Sequence, residues 1–241
     1  MLNRDRIVSQ LNKSYTVTVV EEIPSTNTAL KEMASPPVGT TLIAARQTGG
    51  RGRLGRQFHS PEGGLYLSVL ISPTDTVTCR AAVAAARAVE SLCGANIDLK
   101  WVNDLYLNGR KVAGILAEGV LTPDGTLSAV VLGIGINVGA TDFPDELTSI
   151  ATSLGNEGYS LTREDVAAAF LNELSLALSD STAMDEYRRR NLVLGREVTV
   201  LRGGDTYTAT AETITDEGHL MVRDANGNTH TLSSGEVSVR L

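Results

Sequence analysis

Residues 99–118 read LKWVNDLYLNGRKVAGILAE, and this stretch decides the middle of the fold. Asn108-Gly109 is a dipeptide that favours a two-residue hairpin turn, because both residues adopt positive φ at little cost. Apolar segments lie on either side of the turn, at residues 99–102 and 111–118. The stretch therefore predicts a β-hairpin in which these two segments flank the turn.

Apolar and β-branched runs predict further strands on both sides of this hairpin, at residues 15–21, 40–46, 64–71 and 126–138. Helices are predicted where a capping residue opens an apolar pattern or where alanine dominates, at residues 26–34, 77–93, 162–178 and 183–194. Ser25 is the expected N-cap of the first of these helices, and Thr162 opens a capping box in the third. Gly195 is the expected end of the last.

After Gly195 the pattern changes to short alternating segments at residues 197–201, 206–214, 220–223, 229–232 and 236–240. Glycine-containing turns separate them at Gly203-Gly204, Glu217-Gly218, Asn226-Gly227 and Ser234-Gly235. Five short strands with tight turns are typical of a small β-barrel. The sequence thus predicts an α+β domain at residues 1–194, built on a mixed β-sheet with flanking helices, and a β-barrel domain at residues 195–241.

Composition excludes several classes of protein. The 241 residues are 42% hydrophobic and 20% charged, as in soluble globular proteins. The net charge of −7 argues against a DNA-binding surface, and the absence of a long apolar run argues against a membrane span. No apolar signal core occurs in residues 1–14, so we expect a cytoplasmic protein. Cys79 and Cys93 are expected on one helix, about 21 Å apart, too far for a disulfide.

Residues 50–56, Gly50-Arg51-Gly52-Arg53-Leu54-Gly55-Arg56, form what we call the arginine loop. Glycine allows a ligand to approach the main chain closely. Arginine adds a planar fork of donors that matches carboxylate and phosphate oxygens. The loop is therefore a candidate for closing over an anion, although the loop alone is also compatible with a solvated basic surface.

Three other segments carry polar groups at predicted strand or helix ends. Ser25-Thr26-Asn27 either caps a helix or grips a small polar ligand. Asn103-Asp104, after Trp101, forms either a turn behind a core anchor or a site for magnesium or a ligand N–H. Lys111 is either a solvated flank of its strand or a point charge directed at a phosphate. The residues alone leave each of these alternatives open.

Several familiar sites are excluded. Residues 133–139, GIGINVG, fail the dinucleotide pattern because Val138 replaces the third glycine and no helix follows. A Walker sequence is absent, and His59, His219 and His230 lack zinc-ligand spacing. No G-x-S-x-G nucleophile occurs either. The remaining chemistry is the positioning of a reacting phosphate and the stabilisation of its charge.

Taken in order, these segments resemble the biotin–protein ligase family over essentially the whole chain. The resemblance is carried by Ser25-Thr26-Asn27, Gln47 with the arginine loop, residues 60–68, Lys100-Trp101-Val102-Asn103-Asp104-Leu105, residues 111–116, residues 133–138 and Ser234-Gly235-Glu236-Val237. Two positions depart from the family pattern. Val102 replaces a common proline without removing a functional group, and Phe58 replaces a frequent tryptophan but should still supply an aromatic wall.

The resemblance implies a catalytic domain similar to class II aminoacyl-tRNA synthetases, followed by an SH3-like β-barrel. It implies a ligase that uses ATP and Mg²⁺ to activate biotin as biotinyl-5′-AMP. The biotinyl group would then pass to a lysine of the biotin carboxyl carrier protein. The short segment before the first strand leaves no room for a DNA-binding domain, so we expect a single-function ligase, and we expect a homodimer.

The resemblance also implies residue roles. Biotin binding is implied for Ser25, Thr26, Asn27, Gln47, Arg51, Gly52, Arg53, Lys111 and Gly114. ATP or adenylate binding is implied for Arg51, Arg53, Arg56, Asn103, Asp104, Lys111 and Asn137. Lys111, Arg53 and Asp104 would be catalytic, and Asp104 would bind Mg²⁺.

Two rival functions stay open. A lipoate–protein ligase shares the fold and the adenylation logic, but the arginine loop and the Lys-Trp-x-Asn-Asp sequence favour biotin. A non-catalytic binder of biotin or its adenylate would have little need for the phosphate-activating charges of Arg53, Asp104 and Lys111.

Overall fold

The computed structural model describes residues 2–33, 36–74, 76–202, 205–233 and 237–240. The larger sheet contains β1 (Thr16–Ile23), β2 (Thr40–Gln47), β3 (Leu65–Ile71), β4 (Asp98–Lys100), β5 (Asp104–Leu107), β6 (Arg110–Leu121) and β7 (Leu127–Ile136). Its strand order is β1-β2-β3-β7-β6-β5-β4. The β1–β2 pair is parallel and the other pairs are antiparallel, which confirms the predicted mixed sheet.

The helices are α1 (Arg4–Ser9), α2 (Thr26–Glu32), α3 (Val77–Cys93), α4 (Asp145–Thr148), α5 (Arg163–Ala177) and α6 (Ala183–Arg189). Residues 81–86 of α3 are fully buried, because their small side chains let the helix pack closely against α5 and the sheet. Ser25 and Thr162 accept hydrogen bonds from Thr28 N and Asp165 N, as predicted for N-caps. No helix among the described residues is long and apolar enough to cross a membrane.

The second sheet contains β8 (Glu197–Arg202), β9 (Asp205–Ile214), β10 (Leu220–Asp224), β11 (Thr229–Leu232) and β12 (Val237–Arg240). It is antiparallel, with the order β11-β10-β9-β8-β12. Alternate side chains such as Val198, Val200 and Val222 are buried, which explains the alternating sequence pattern. The predicted turns at Gly203-Gly204 and Ser234-Gly235, the strand start at Glu236 and the helix end at Ala34 lie outside the described residues.

The predicted hairpin is correct in its turn and wrong in one of its strands. Asn108 and Gly109 have φ values of 51° and 78°, as the turn requires. However, β5 is the strand that pairs with β6 across this turn, and β4 pairs with β5. Trp101 and Val102 lie in a turn between β4 and β5. Their apolar character reflects burial by tertiary packing, since they are only 5% and 4% exposed.

The helices differ from the sequence-based prediction at two places. Helix α1 was not predicted because it is short, and long-range contacts hold it: Arg6 forms an ion pair with Asp165 of α5 at 2.8 Å. Helix α6 ends at Arg189 and not at residue 194, because the chain turns there to contact β4. Leu99 N donates to Arg190 O at 2.9 Å, and Leu192 N donates to Leu99 O at 2.7 Å.

The second sheet is bonded directly to the first part of the chain. The indole Nε1 of Trp101 donates to Gly218 O at 2.9 Å, and Arg188 Nε donates to Ile214 O at 2.6 Å. The turn after β9 is therefore held against the turn between β4 and β5. Cys79 and Cys93 both lie on α3, as predicted, and both are free thiols.

Candidate functional site

A cleft of about 520 Å³ lies between the start of α2, the arginine loop, the β4–β5 turn, β6 and β7. The site residues predicted from the sequence all border this cleft, although they come from distant parts of the chain. They are Ser25, Thr26, Asn27, Gln47, Arg51, Gly52, Arg53, Arg56, Asn103, Asp104, Lys111, Gly114 and Asn137. The structure thus brings the predicted set together, while the role of each residue stays a prediction.

Four polar residues of the cleft form what we call the floor: Ser25, Thr26 and Asn27 at the start of α2, and Gln47 at the end of β2. The backbone N–H and the hydroxyl of Thr26 both donate to Gln47 Oε1, at 2.8 and 3.1 Å. Gln47 Nε2 donates in turn to Ser60 Oγ at 3.2 Å. The buried Ser68 hydroxyl lies 2.7 Å from Thr26 Oγ1 and 2.6 Å from Asn27 Oδ1. These bonds fix the side chains of the floor before any ligand arrives.

The amide of Asn27 is held from both ends. Its Nδ2 donates to Leu116 O at 3.1 Å and to Glu118 Oε2 at 3.0 Å, while its Oδ1 contacts Ser68. A Cβ at Gly133 would lie 2.0 Å from Asn27 Oδ1, so only glycine fits opposite this amide on β7. The backbone of β7 therefore lies directly beside the Asn27 amide.

The arginine loop is a closed structure. Phe58 N donates to Gly50 O at 3.0 Å, and Gly52 N donates to Arg56 O at 2.7 Å. Gly50 is required at the closure, because a Cβ there would lie 2.4 Å from the carbonyl oxygen of Phe58. Residues 53–55 form a short 3-10 helix in which Leu54 has a φ of 55°.

Two arginines of this loop contact two different elements, strand β6 and the turn between β4 and β5. Arg51 lies 3.2 Å from Glu118 Oε1, and Arg53 Nη1 donates to Asn103 Oδ1 at 3.2 Å. Burial lowers the pKa of Arg53, and the negative charge of Asp104 partly opposes that shift. A guanidinium held in partly desolvated surroundings interacts strongly with an incoming anion.

Lys111 and Asp104 form an ion pair in the cleft. Lys111 Nζ donates to Asp104 Oδ1 at 2.6 Å, and the same ammonium lies 5.7 Å from the centre of the Phe58 ring. Gly114 and Gly135 provide the space for these groups. A Cβ at Gly114 would lie 3.1 Å from Lys111 Nζ, and a Cβ at Gly135 would lie 2.4 Å from the Phe58 ring.

The two asparagines are fixed by backbone carbonyls. Asn103 Nδ2 donates to Ile115 O and Asn137 Nδ2 donates to Thr152 O, both at 2.9 Å. The Asn103 bond directs its Oδ1 towards Arg53. Asn137 lies directly after β7 and is 6% exposed.

One wall of the cleft was missed by the sequence analysis. Phe143, Leu147, Ile150 and Ala151 border the cleft from the segment around α4. This segment is bonded to the start of β6, since Lys111 N donates to Ile150 O and Thr152 N to Lys111 O, both at 2.9 Å. A search for charged and polar motifs passes over such a wall. The available signal was the apolar residues between β7 and the capping box of α5, where Ile150 is 57% exposed.

The cleft offers a metal ion few protein ligands, so a bound ion would be held mainly by the phosphates of a bound molecule. Within the described ranges, no three His, Cys, Asp or Glu side chains are grouped as metal ligands. Asp104 brings one carboxylate into the cleft, and its Oδ1 is already bonded to Lys111. This arrangement fits a magnesium ion that phosphates bind and that one carboxylate supports.

Two family comparisons match the two sheets. Residues 19–137 match the Biotin/lipoate A/B protein ligase family, and residues 193–240 match the Biotin protein ligase C terminal domain. The chain is 43% identical over 156 residues to the Bifunctional ligase/repressor BirA of Bacillus spizizenii. That match covers 60% of this chain and 48% of the relative, so the chain spans about half the length of that protein.

Other relatives match along most of their length. The Biotin--[acetyl-CoA-carboxylase] ligase of Mycobacterium tuberculosis is 34% identical, with 97% of this chain and 92% of the relative covered. Among solved structures, the biotin protein ligase of Aquifex aeolicus in complex with biotin and ATP superposes with a TM-score of 0.82 at 32% identity. That superposition covers 93% of this chain and 98% of the other. On the strength of these matches, the chain belongs to the biotin protein ligase family.

Proposed function

We propose that this chain is a biotin–protein ligase. In the first step, a carboxylate oxygen of biotin attacks the α-phosphorus of ATP, and pyrophosphate leaves. In the second step, a lysine amine of the biotin carboxyl carrier protein of a biotin-dependent carboxylase attacks the biotinyl carbonyl. An amide forms, the amine loses a proton and AMP leaves. The observation that carries this proposal is a single cleft that joins a polar floor to the ion pair of Lys111 and to Arg53.

The floor suits the ureido ring of biotin. That ring presents two N–H donors and one carbonyl acceptor, so it needs a neighbouring set of both kinds. Thr26, Asn27 and Gln47 supply hydroxyl and amide groups that are held in place by their own hydrogen bonds. Ser25 completes this set, and the Phe58 ring supplies an apolar wall.

Lys111 and Arg53 address the main obstacle to the first step, which is the repulsion between two anions. Their positive charges would attract the carboxylate and the α-phosphate and stabilise the charge that develops on the α-phosphate during adenylyl transfer. Arg51, Gly52 and Gly114 would line the path of the biotin side chain between the floor and Lys111. No covalent bond to the protein is needed, so both cysteines take no part.

The nucleotide side of the cleft is assigned to Arg56, Asn103, Asp104 and Asn137. The ATP phosphates would bring Mg²⁺, with Asp104 as its protein ligand, and the ion would neutralise phosphate charge. The apolar wall around Ile150 would cover the nucleotide. These assignments place the carboxylate of biotin and the phosphates on the two sides of Lys111.

The arginine loop would protect the intermediate. Biotinyl-5′-AMP is a mixed anhydride that water hydrolyses, so a loop closed over the cleft extends its lifetime. The bonds of Arg51 to Glu118 on β6 and of Arg53 to Asn103 in the β4–β5 turn suit such a closed state.

One assay separates this proposal from its rivals. The protein is incubated with MgATP, a carrier protein and either biotin or lipoate, and the carrier is weighed by mass spectrometry. A mass increase of one biotinyl group supports the ligase, and a lipoyl increase supports a lipoate–protein ligase. An unchanged carrier, together with tight biotin binding, identifies a non-catalytic binder.

We also propose a division at residues 194 and 195, a cytoplasmic location and a homodimer. The homodimer is supported by the position of β1 at the edge of the larger sheet, where a strand of a second sheet could pair with it. Sedimentation equilibrium measures the mass in solution, and a monomer at micromolar concentration would contradict this part of the proposal.

A further inference from the structure

Glu118 on β6 was not among the predicted site residues, yet Asn27 and Arg51 of the cleft and Lys31 of α2 donate to it. Asn27 Nδ2 lies 3.0 Å from Oε2, Lys31 Nζ lies 3.3 Å from Oε1 and Arg51 Nη1 lies 3.2 Å from Oε1. The Glu118 side chain is 14% exposed. A carboxylate with so little contact with water needs several donors to remain ionised.

The ionised form is favoured. Burial by itself would raise the pKa of Glu118, but hydrogen bonds from Asn27 and Lys31 and the charges of Lys31 and Arg51 hold it below its ordinary value. At neutral pH the residue therefore carries the negative charge that an arginine partner requires.

Two of the three donors to Glu118 belong to different parts of the cleft. Asn27 is part of the floor, whereas Arg51 is the first arginine of the arginine loop. The two ends of that loop are bonded to each other, because Arg51 and Gln57 form a β-bridge and Phe58 N donates to Gly50 O. Fixing the side chain of Arg51 therefore restrains the loop as a whole.

We propose that Glu118 is a positioning residue that holds Arg51, and with it the arginine loop, over the cleft while it orients the amide of Asn27. One carboxylate thus couples the floor to the loop. The catalytic consequence of this proposal rests on the proposed ligase function. The structural part of the proposal, that Glu118 restrains the loop, is tested on the protein without substrate.

Limited digestion with trypsin tests the structural part, because the loop contains three cleavage sites, after Arg51, Arg53 and Arg56. The Glu118→Gln variant keeps the shape of the side chain and an oxygen for Asn27 but loses the charge that holds Arg51. We expect loop cleavage about two- to fivefold faster than in the wild type, which corresponds to the loss of a partly exposed ion pair. Cleavage at the wild-type rate would overturn the proposal.

The matched control is Glu212→Gln. Glu212 forms an ion pair with Arg223 in the C-terminal sheet, and the variant makes the same change of charge away from the cleft. Its loop should be cleaved at the wild-type rate. Equal acceleration in both variants would trace the effect to net charge or stability and would also overturn the proposal.

A double variant shows whether Glu118 acts through Arg51. Arg51→Met removes the same ion pair from the other side, and cleavage after Arg53 and Arg56 is then followed. The double variant Arg51→Met/Glu118→Gln should be cleaved no faster than Arg51→Met alone, and additive acceleration would contradict the proposed route. If circular dichroism shows that Glu118→Gln does not fold, Arg51→Met is used as the test variant in its place. Loop cleavage of Arg51→Met at the wild-type rate would then overturn the proposal.

The functional consequence is measured on preformed biotinyl-5′-AMP. Glu118→Gln should release it about two- to fivefold faster than the wild type, and unchanged release would overturn the catalytic part. If the wild type forms no adenylate, the proposed ligase function fails. The trypsin result still decides the role of Glu118 in that case, so the two failures are distinguishable.

Discussion

Lys111 donates a 2.6 Å hydrogen bond to Asp104, and the two side chains are 29% and 24% exposed. The ammonium is thus held inside the cleft by a negative partner before any ligand binds. An incoming carboxylate or phosphate offers Lys111 further negative partners without requiring it to move far. Under the proposed function, the pair would keep a cation preorganised where the carboxylate and the phosphate meet.

Substitution of Lys111 should mainly impair the first step. Lys111→Ala removes the charge that offsets the repulsion between carboxylate and phosphate, and we expect biotin-dependent ATP–pyrophosphate exchange to fall about 100- to 1000-fold. Lys13→Ala, which changes an exposed lysine outside the cleft, is the control. Exchange at the wild-type rate in Lys111→Ala would refute the role assigned to this residue.

Substitution of Arg53 should mainly impair retention of the intermediate. Arg53→Ala removes the bond between the loop and Asn103, so we expect faster release of biotinyl-5′-AMP and labelling of lysines on proteins other than the carrier. Chromatography measures the release of biotinyl-5′-AMP, and blotting with streptavidin detects biotin on proteins other than the carrier. Arg196→Ala, at an exposed position before β8, should leave both unchanged. Adenylate retention equal to that of the wild type in Arg53→Ala would show that this bond does not contribute to gating.

A methyl group at Gly135 should disturb the ligand wall. Its Cβ would lie 2.4 Å from the Phe58 ring, so Gly135→Ala must displace that ring at a cost of about 1–3 kcal/mol. We expect weaker biotin binding by calorimetry, and partial recovery in Gly135→Ala/Phe58→Leu. Gly119→Ala is a suitable control because its Cβ would meet only the end of the flexible side chain of Leu127. Unchanged affinity in Gly135→Ala would mean that Phe58 does not line the biotin site.

Cys79 should resist alkylation. Burial raises the pKa of its thiol to about 12, so at pH 8 the group is both neutral and inaccessible. Iodoacetamide at pH 8 should therefore modify Cys93, which is partly exposed, well before Cys79. Mass spectrometry of tryptic peptides measures the two rates, and equal rates would show that the packing around Cys79 opens readily.

Much of the fold follows from local signals that need no partner. The turn at Asn108-Gly109 depends on two backbone conformations, and the cap of α2 depends on the hydroxyl of Ser25. Tertiary packing decided the elements that were missed. Trp101 and Val102 look like a strand because they are apolar, yet their burial comes from contacts with distant segments, including the bond between Tyr187 and Val102 O.

The site shows the same division. Residues with a recognisable chemistry, such as Arg53 and Lys111, could be predicted because charge and spacing are visible along the chain. Glu118 could not, because its importance depends on Asn27 and Arg51 lying beside it after folding. Ile150 could not either, since nothing in the sequence places its segment against the start of β6.

The bond between Trp101 and Gly218 gives this protein an optical probe of its own. Trp101 is the single tryptophan of the sequence, its ring borders the cleft and its indole N–H is bonded to the turn after β9. All tryptophan emission therefore originates at the point where the cleft meets the C-terminal sheet. A change in its wavelength or intensity reports on ligand entry from one side and on displacement of that sheet from the other, without any attached dye.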